Sequence, residues 1–197
     1  SPAGPARRLP DHAGAASHQV YSPDGRWVAY YRVLGGQRRV WIVPAAGGTP
    51  MRFTDDSGAY FHPAWSPDGR RIAYAAERGG ESHIWLAAVA DGKPAGSAEQ
   101  VTSGPRADVA PAWSPDASMI AFVAMGSDGS NEAWVVEAGG NHAARAVTHG
   151  AEAHRVAWAA TRGTLLVSGL WGTGRLGLNA VDIAHGRVTP AGPPGAR

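Results

Sequence analysis

Trp65-Ser66-Pro67-Asp68-Gly69 decides how this chain is read, because the phrase recurs. It stands as Tyr21-Ser22-Pro23-Asp24-Gly25 upstream and as Trp113-Ser114-Pro115-Asp116-Ala117 downstream, then fades into Trp158-Ala159-Ala160-Thr161. The leading aromatics are 44, 48 and 45 residues apart. Self-similarity at a period of about 40–45 residues marks one supersecondary unit repeated in space, and this is the size of a four-stranded propeller blade.

Three further markers keep the same period. An apolar triplet follows each phrase: Val28-Ala29-Tyr30, Ile72-Ala73-Tyr74, Ile120-Ala121-Phe122 and Leu165-Leu166-Val167. A second aromatic register holds Trp41, Trp85 and Trp134, with Leu178 in the fourth copy. Each copy closes on an apolar residue and a threonine: Phe53-Thr54, Val101-Thr102, Val147-Thr148 and Val188-Thr189. Every copy therefore reads as four short β runs bounded by turn residues. Within the phrase, proline pre-sets the first central φ of a type I turn, aspartate suits the next position, and glycine takes the left-handed bulge position. No window shows a helical period. The expectation is an all-β chain.

Residues 7–10 resemble the end of the first full copy and predict a stray outer strand. Blades are expected over 17–54, 60–102, 108–148 and 153–190, with 191–197 as a linker. A leading strand that belongs to none of these blades predicts a segment of a larger propeller, six- or seven-bladed, with a closed four-bladed ring as the alternative. In either case each blade buries its faces against its neighbours.

The 197 residues suffice for a sizeable core. The 27 glycines and 15 prolines fall at repeat-spaced turns, so they punctuate the strands and do not signal disorder. Eighteen Lys and Arg against sixteen Asp and Glu make no strong field, which argues against a nucleic-acid partner. Arg38-Arg39 and Arg70-Arg71 read as solvated turn residues. The absence of cysteine removes disulfides, thiol catalysis and thiolate metal sites. No apolar run is long enough to insert in a membrane as a helix.

Pro63-Ala64-Trp65-Ser66-Pro67-Asp68-Gly69-Arg70-Arg71-Ile72-Ala73-Tyr74 and Val40-Trp41-Ile42-Val43-Pro44-Ala45-Ala46-Gly47-Gly48 closely resemble the TolB-type propeller repeat, a relative of the WD repeats. The resemblance covers nearly all of residues 7–190. It implies a bacterial setting, in the periplasm or otherwise outside the cytoplasm, with envelope proteins among the partners. Similar blades occur in TolB and in the propellers of prolyl-oligopeptidase-type serine peptidases. They also stand beside amidohydrolases and kinases, and form oligogalacturonate lyases. Fold alone does not choose among these roles.

Motifs for chemistry are sparse. There is no Gly-x-Ser-x-Gly elbow, no His-Glu-x-x-His pair and no EF-hand loop. Gly172-Thr173-Gly174-Arg175-Leu176-Gly177 satisfies the dinucleotide string but sits where a β run should follow, so no helix N-terminus awaits a phosphate. His18 and His62 share one repeat position, three residues before the aromatic of the innermost strand, and are expected at the channel mouth. Ala110 and Arg155 hold that position in the third and fourth copies, with His154 one residue off register. His18, His62 and Arg155 are the candidate binding residues. A neutral imidazole pair could ligate a transition metal, yet structural histidines are the plainer reading, and neither metal nor cofactor is expected. Asp55, Asp56 and Asp108 read as turn formers.

The expected function is a non-catalytic scaffold that binds a protein or peptide through its loops and channel entrance. One alternative is an accessory domain gating a larger serine peptidase or amidohydrolase, fused to a further domain. The other is a metal-dependent lyase working in the channel.

Overall fold

The computed structural model describes residues 16–55, 57–139, 143–160, 163–172 and 174–191, and among them there is no helix. The predicted stray strand at 7–10, Asp56 and nearly all of the predicted linker lie outside the described residues. Four antiparallel sheets follow one another along the chain. The first comprises β1 (Ala16–Tyr21), β2 (Trp27–Leu34), β3 (Gln37–Pro44) and β4 (Met51–Arg52), in that order. The second holds β5 (Ala59–Trp65), β6 (Arg71–Arg78), β7 (Glu81–Ala90), β8 (Lys93–Pro94) and β9 (Glu99–Gln100). The third holds β10 (Ala107–Trp113), β11 (Met119–Met125), β12 (Asn131–Glu137) and β13 (Arg145–Ala146). The fourth holds β14 (Ala153–Trp158), β15 (Thr164–Trp171), β16 (Arg175–Asp182) and β17 (Val188–Pro190).

The second sheet departs from four strands. Asp91 and Gly92 both take positive φ, 48° and 71°, and this two-residue hairpin folds β8 back onto the end of β7, beside β9.

The repeated phrase acts as a closed hydrogen-bonded unit. Gly25 N–H donates to Ser22 O at 2.9 Å and Gly25 takes φ 69°. The Asp24 carboxylate accepts from Ser22 Oγ and from Arg26 N–H, while Trp27 N–H donates to Ser22 Oγ. Residues 66–71 and 114–119 repeat these bonds. The closing threonine is a clip: Thr54, Thr102 and Thr148 Oγ1 accept from the N–H of Val40, Ile84 and Ala133, fastening the chain beyond the outer strand to the third strand.

Three cores lie between consecutive sheets. Ala29, Val40 and Ile42 of the first sheet meet Tyr60, Ile72 and Tyr74 of the second. Ala73, Ile84 and Leu86 meet Ile120 and Phe122, and Ala121, Val123 and Val135 meet Leu165, Val167 and Val181. Successive residues of one strand thus serve different cores, which is why the triplets are apolar without interruption. The leading tryptophans occupy equivalent places. Trp113 Nε1 donates to Ala64 O and Trp158 Nε1 to Ala112 O, each at 3.0 Å, tying β10 to β5 and β14 to β10, whereas Trp65 Nε1 is enclosed and bonds no protein atom.

Candidate functional site at the propeller axis

Each innermost strand carries one extra residue relative to its partner. Ser17 faces Tyr31 and Val20 faces Ala29; Phe61 and Ala64 face Ala75 and Ala73; Val109 and Ala112 face Val123 and Ala121. The bulges contain His18, His62 and Ala110, all at φ 53°. A bulge re-aims its side chain, and a non-glycine residue at such φ is held there by its surroundings. Because Ala110 shares the geometry, the strain belongs to the architecture, and only the identity of the side chain varies. In β14 the shift falls between Ala153 and Arg155, so His154 occupies the bulge and Arg155 pairs with Ser168.

These residues surround a cavity of about 540 Å³ lined by all four innermost strands. His18 and His62 meet there with ring centroids 4.4 Å apart, and His154 and Arg155 complete the lining from β14. The structure therefore brings His18, His62 and Arg155 to one place. Tyr31 stacks on His18 at 5.4 Å, Phe61 lies edge-on to His62 at 5.0 Å, and the Arg38 guanidinium lies over Phe61. These neighbours come from β2, β3 and β5, so the sequence period did not single them out. A second cavity of about 520 Å³ shares His62 with the first and is lined by Tyr31, Arg38, Phe61, Glu77 and Met125.

Both imidazoles stay neutral at neutral pH. Burial lowers His62 to about 4, helped by His18, Arg155 and Arg38. Burial, then Arg155, also lowers His18. The Nδ1 atoms of both are enclosed and bond no protein atom. Among the described residues no three His, Asp or Glu side chains converge as a metal-holding group.

Several charged residues have other roles than the sequence suggests. Arg39 is buried, not solvated: it donates to Gly58 O at 2.6 Å and lies over Tyr60, bridging the first two sheets. Arg71 reaches the third sheet, donating to Ala138 O and Ala117 O with its guanidinium 4.7 Å from the Trp113 ring. Asp108 is wholly buried and pairs with Arg106 at 2.9 Å and His83 at 3.4 Å, so it is no turn former; burial raises its pKa. Asp55 does form a turn, accepting from Ser57 N–H and from the Tyr60 hydroxyl. Gly172 and Gly174 of the glycine-rich string stand before β16, a strand, as expected.

No protein-family model matches the sequence, and no curated protein matches it. Solved structures do. A protein designated TolB from Agrobacterium tumefaciens superposes with a TM-score of 0.75 at 20% identity, over 92% of this chain and 67% of its own. TolB from Acinetobacter baumannii gives 0.66 at 20% identity, over 93% of this chain and 42% of its own. A puromycin hydrolase gives 0.71 at 20% identity, over 94% of this chain and 32% of its own. The chain thus has the TolB-type β-propeller fold and corresponds to part of each of these longer chains.

Proposed function

We propose that this chain is a non-catalytic propeller module whose axial cavity receives part of a protein or peptide partner. One observation supports this most directly: four equivalent strands deliver His18, His62, His154 and Arg155 to a single cavity whose lining includes no hydroxyl, lysine or carboxylate side chain. The extracytoplasmic setting and envelope partners implied by the TolB-type repeat belong to the same reading. Peptide display against the immobilised chain tests it. Sequences enriched by the wild type and lost with combined His18→Asn, His62→Asn and Arg155→Gln, and recovered uncleaved, are the expected result. Equal enrichment by both proteins removes the axial site.

A second reading, an accessory domain gating a hydrolase, is favoured by the likeness to the puromycin hydrolase propeller. A hydrolase domain encoded in frame with this chain, with turnover altered by the same three substitutions, is its signature.

A further inference from the structure

The two cavities that share His62 differ in chemistry. On the axial side Arg155 and the imidazoles project from the strands and no Asp or Glu lines the wall. On the other side Tyr31, Phe61, Val109 and Met125 make an apolar shelf, with Met125 39% exposed. Arg155 is always charged, and among the described residues it has no ion-pair partner. The imidazoles beside it offer N–H donors or lone pairs according to tautomer.

We propose that the axial cavity is a carboxylate-binding site, where Arg155 and the His18–His62 pair hold a peptide carboxylate and the adjoining apolar side chain rests on the Tyr31–Phe61 shelf. This rests on the reading of the chain as a peptide-binding module. A planar carboxylate matches the guanidinium fork in shape and charge. One cationic charge beside two neutral imidazoles suits a monoanion better than a dianionic phosphate. The same charge repels a divalent cation from the imidazole nitrogens.

A bound carboxylate also favours imidazolium, so binding takes up a proton. The groups that set this response are His18, His62, His154 and Arg155 around the axial cavity, with Tyr31, Arg38 and Glu77 on the shelf side. Affinity for a carboxylate peptide rises about three- to tenfold from pH 7.5 to 5.5.

The test is an NMR titration of the intact chain with acetyl-Gly-Gly-Leu-Phe as free acid and as amide, and with acetyl-Gly-Gly-Glu-Phe amide. The free acid is expected to shift the imidazole resonances of His18 and His62 and to bind at least about tenfold more tightly than its amide. The glutamate peptide separates the two sources: binding like the acid means a side-chain carboxylate serves, and binding like the amide means a chain end is required. Arg155→Gln, an exposed position, should cost the acid about tenfold with an unchanged melting temperature, and Arg155→Lys should recover part of it. Acid and amide binding equally, or carboxylate peptides leaving both imidazoles unmoved, overturns the proposal. In the first case peptide docking survives without carboxylate recognition. Failure of these probes together with failed display enrichment removes both readings.

Discussion

Ala117 is the one residue of the three intact turns that departs from the Gly that closes the other two. It adopts φ 58°, beside 69° at Gly25 and 70° at Gly69, and a Cβ there carries a steric cost. Ala117→Gly should stabilise the chain by about 0.5 kcal/mol, since it keeps the carbonyl that serves Arg71 and relieves more strain than the loss of the methyl's packing at the edge of the second core costs. Urea denaturation checks this, and an unchanged or lowered midpoint refutes it. His62 makes a pH prediction at the same scale. Folding lowers its pKa from 6.5 to about 4, so the unfolded chain binds its proton first. Stability is full above pH 6.5 and falls as the pH drops towards 4. The shift is worth roughly 3 kcal/mol undiminished, and partial exposure screens it to about 1–2. Asp108 titrates with the opposite sign but is common to both proteins compared. His62→Asn, which tolerates the left-handed backbone, should flatten the loss between pH 6.5 and 4 in denaturation series at stepped pH. An identical acid slope in the variant would show that His62 does not set it.

At the scale of elements, the connections carry more than closure. Trp27 opens β2 of the first sheet, and its indole lies against Gly92 in the β7–β8 hairpin of the second. A Cβ on Gly92 would stand 2.6 Å from that ring, and Gly92 also needs φ 71°. Gly92→Ala should therefore cost about 2–4 kcal/mol. Gly79→Ala shares the left-handed backbone, at φ 63°, but meets open space, and should cost only about 1 kcal/mol. Equal losses in thermal or urea melts would mean that the Trp27 contact contributes nothing. This pairing also shows what could be read in advance. Ser-Pro-Asp-Gly, the apolar triplets and the closing threonines were legible because local geometry and two-sided burial demand them in every copy. Trp27 on Gly92 was not, since it joins non-equivalent positions across sheets. Arg39 and Arg71 looked like turn charges because their acceptors are carbonyls of the next sheet. At the axis, the shared position of His18 and His62 was visible, whereas Tyr31, Phe61 and Arg38 reach them only through strand pairing and twist.

Across the whole molecule, stability is shared between neighbouring sheets, because the three larger cores are each built from two consecutive ones, beside a smaller cluster of Val28, Tyr30 and Val43 within the first sheet. The second and third sheets have both faces in such cores, through Tyr74 and Ala73 on one strand and Phe122 and Ala121 on another. The fourth packs Leu165, Val167 and Val181 against the third, while Leu176 and Leu178 are 69% and 48% exposed. Repeat energetics add intrinsic and nearest-neighbour contributions, so a sheet with one packed face opens more easily than one with two. Native-state hydrogen exchange should find the amides of Val167 and Val181 opening about 1–3 kcal/mol below those of Tyr74 and Phe122. The gap should narrow as urea is added, because global unfolding exposes more surface than the opening of β14–β17 alone. Arg155 lies on β14, so this opening would also dismantle one wall of the axial cavity. A ligand held by Arg155 must then slow exchange at Val167 and Val181 as much as at Tyr74, because the site is lost in either opening, whereas slowing at Tyr74 alone would show that the cavity survives with the fourth sheet open. Uniform protection across all four sheets would instead mean that the chain opens only as a single cooperative unit.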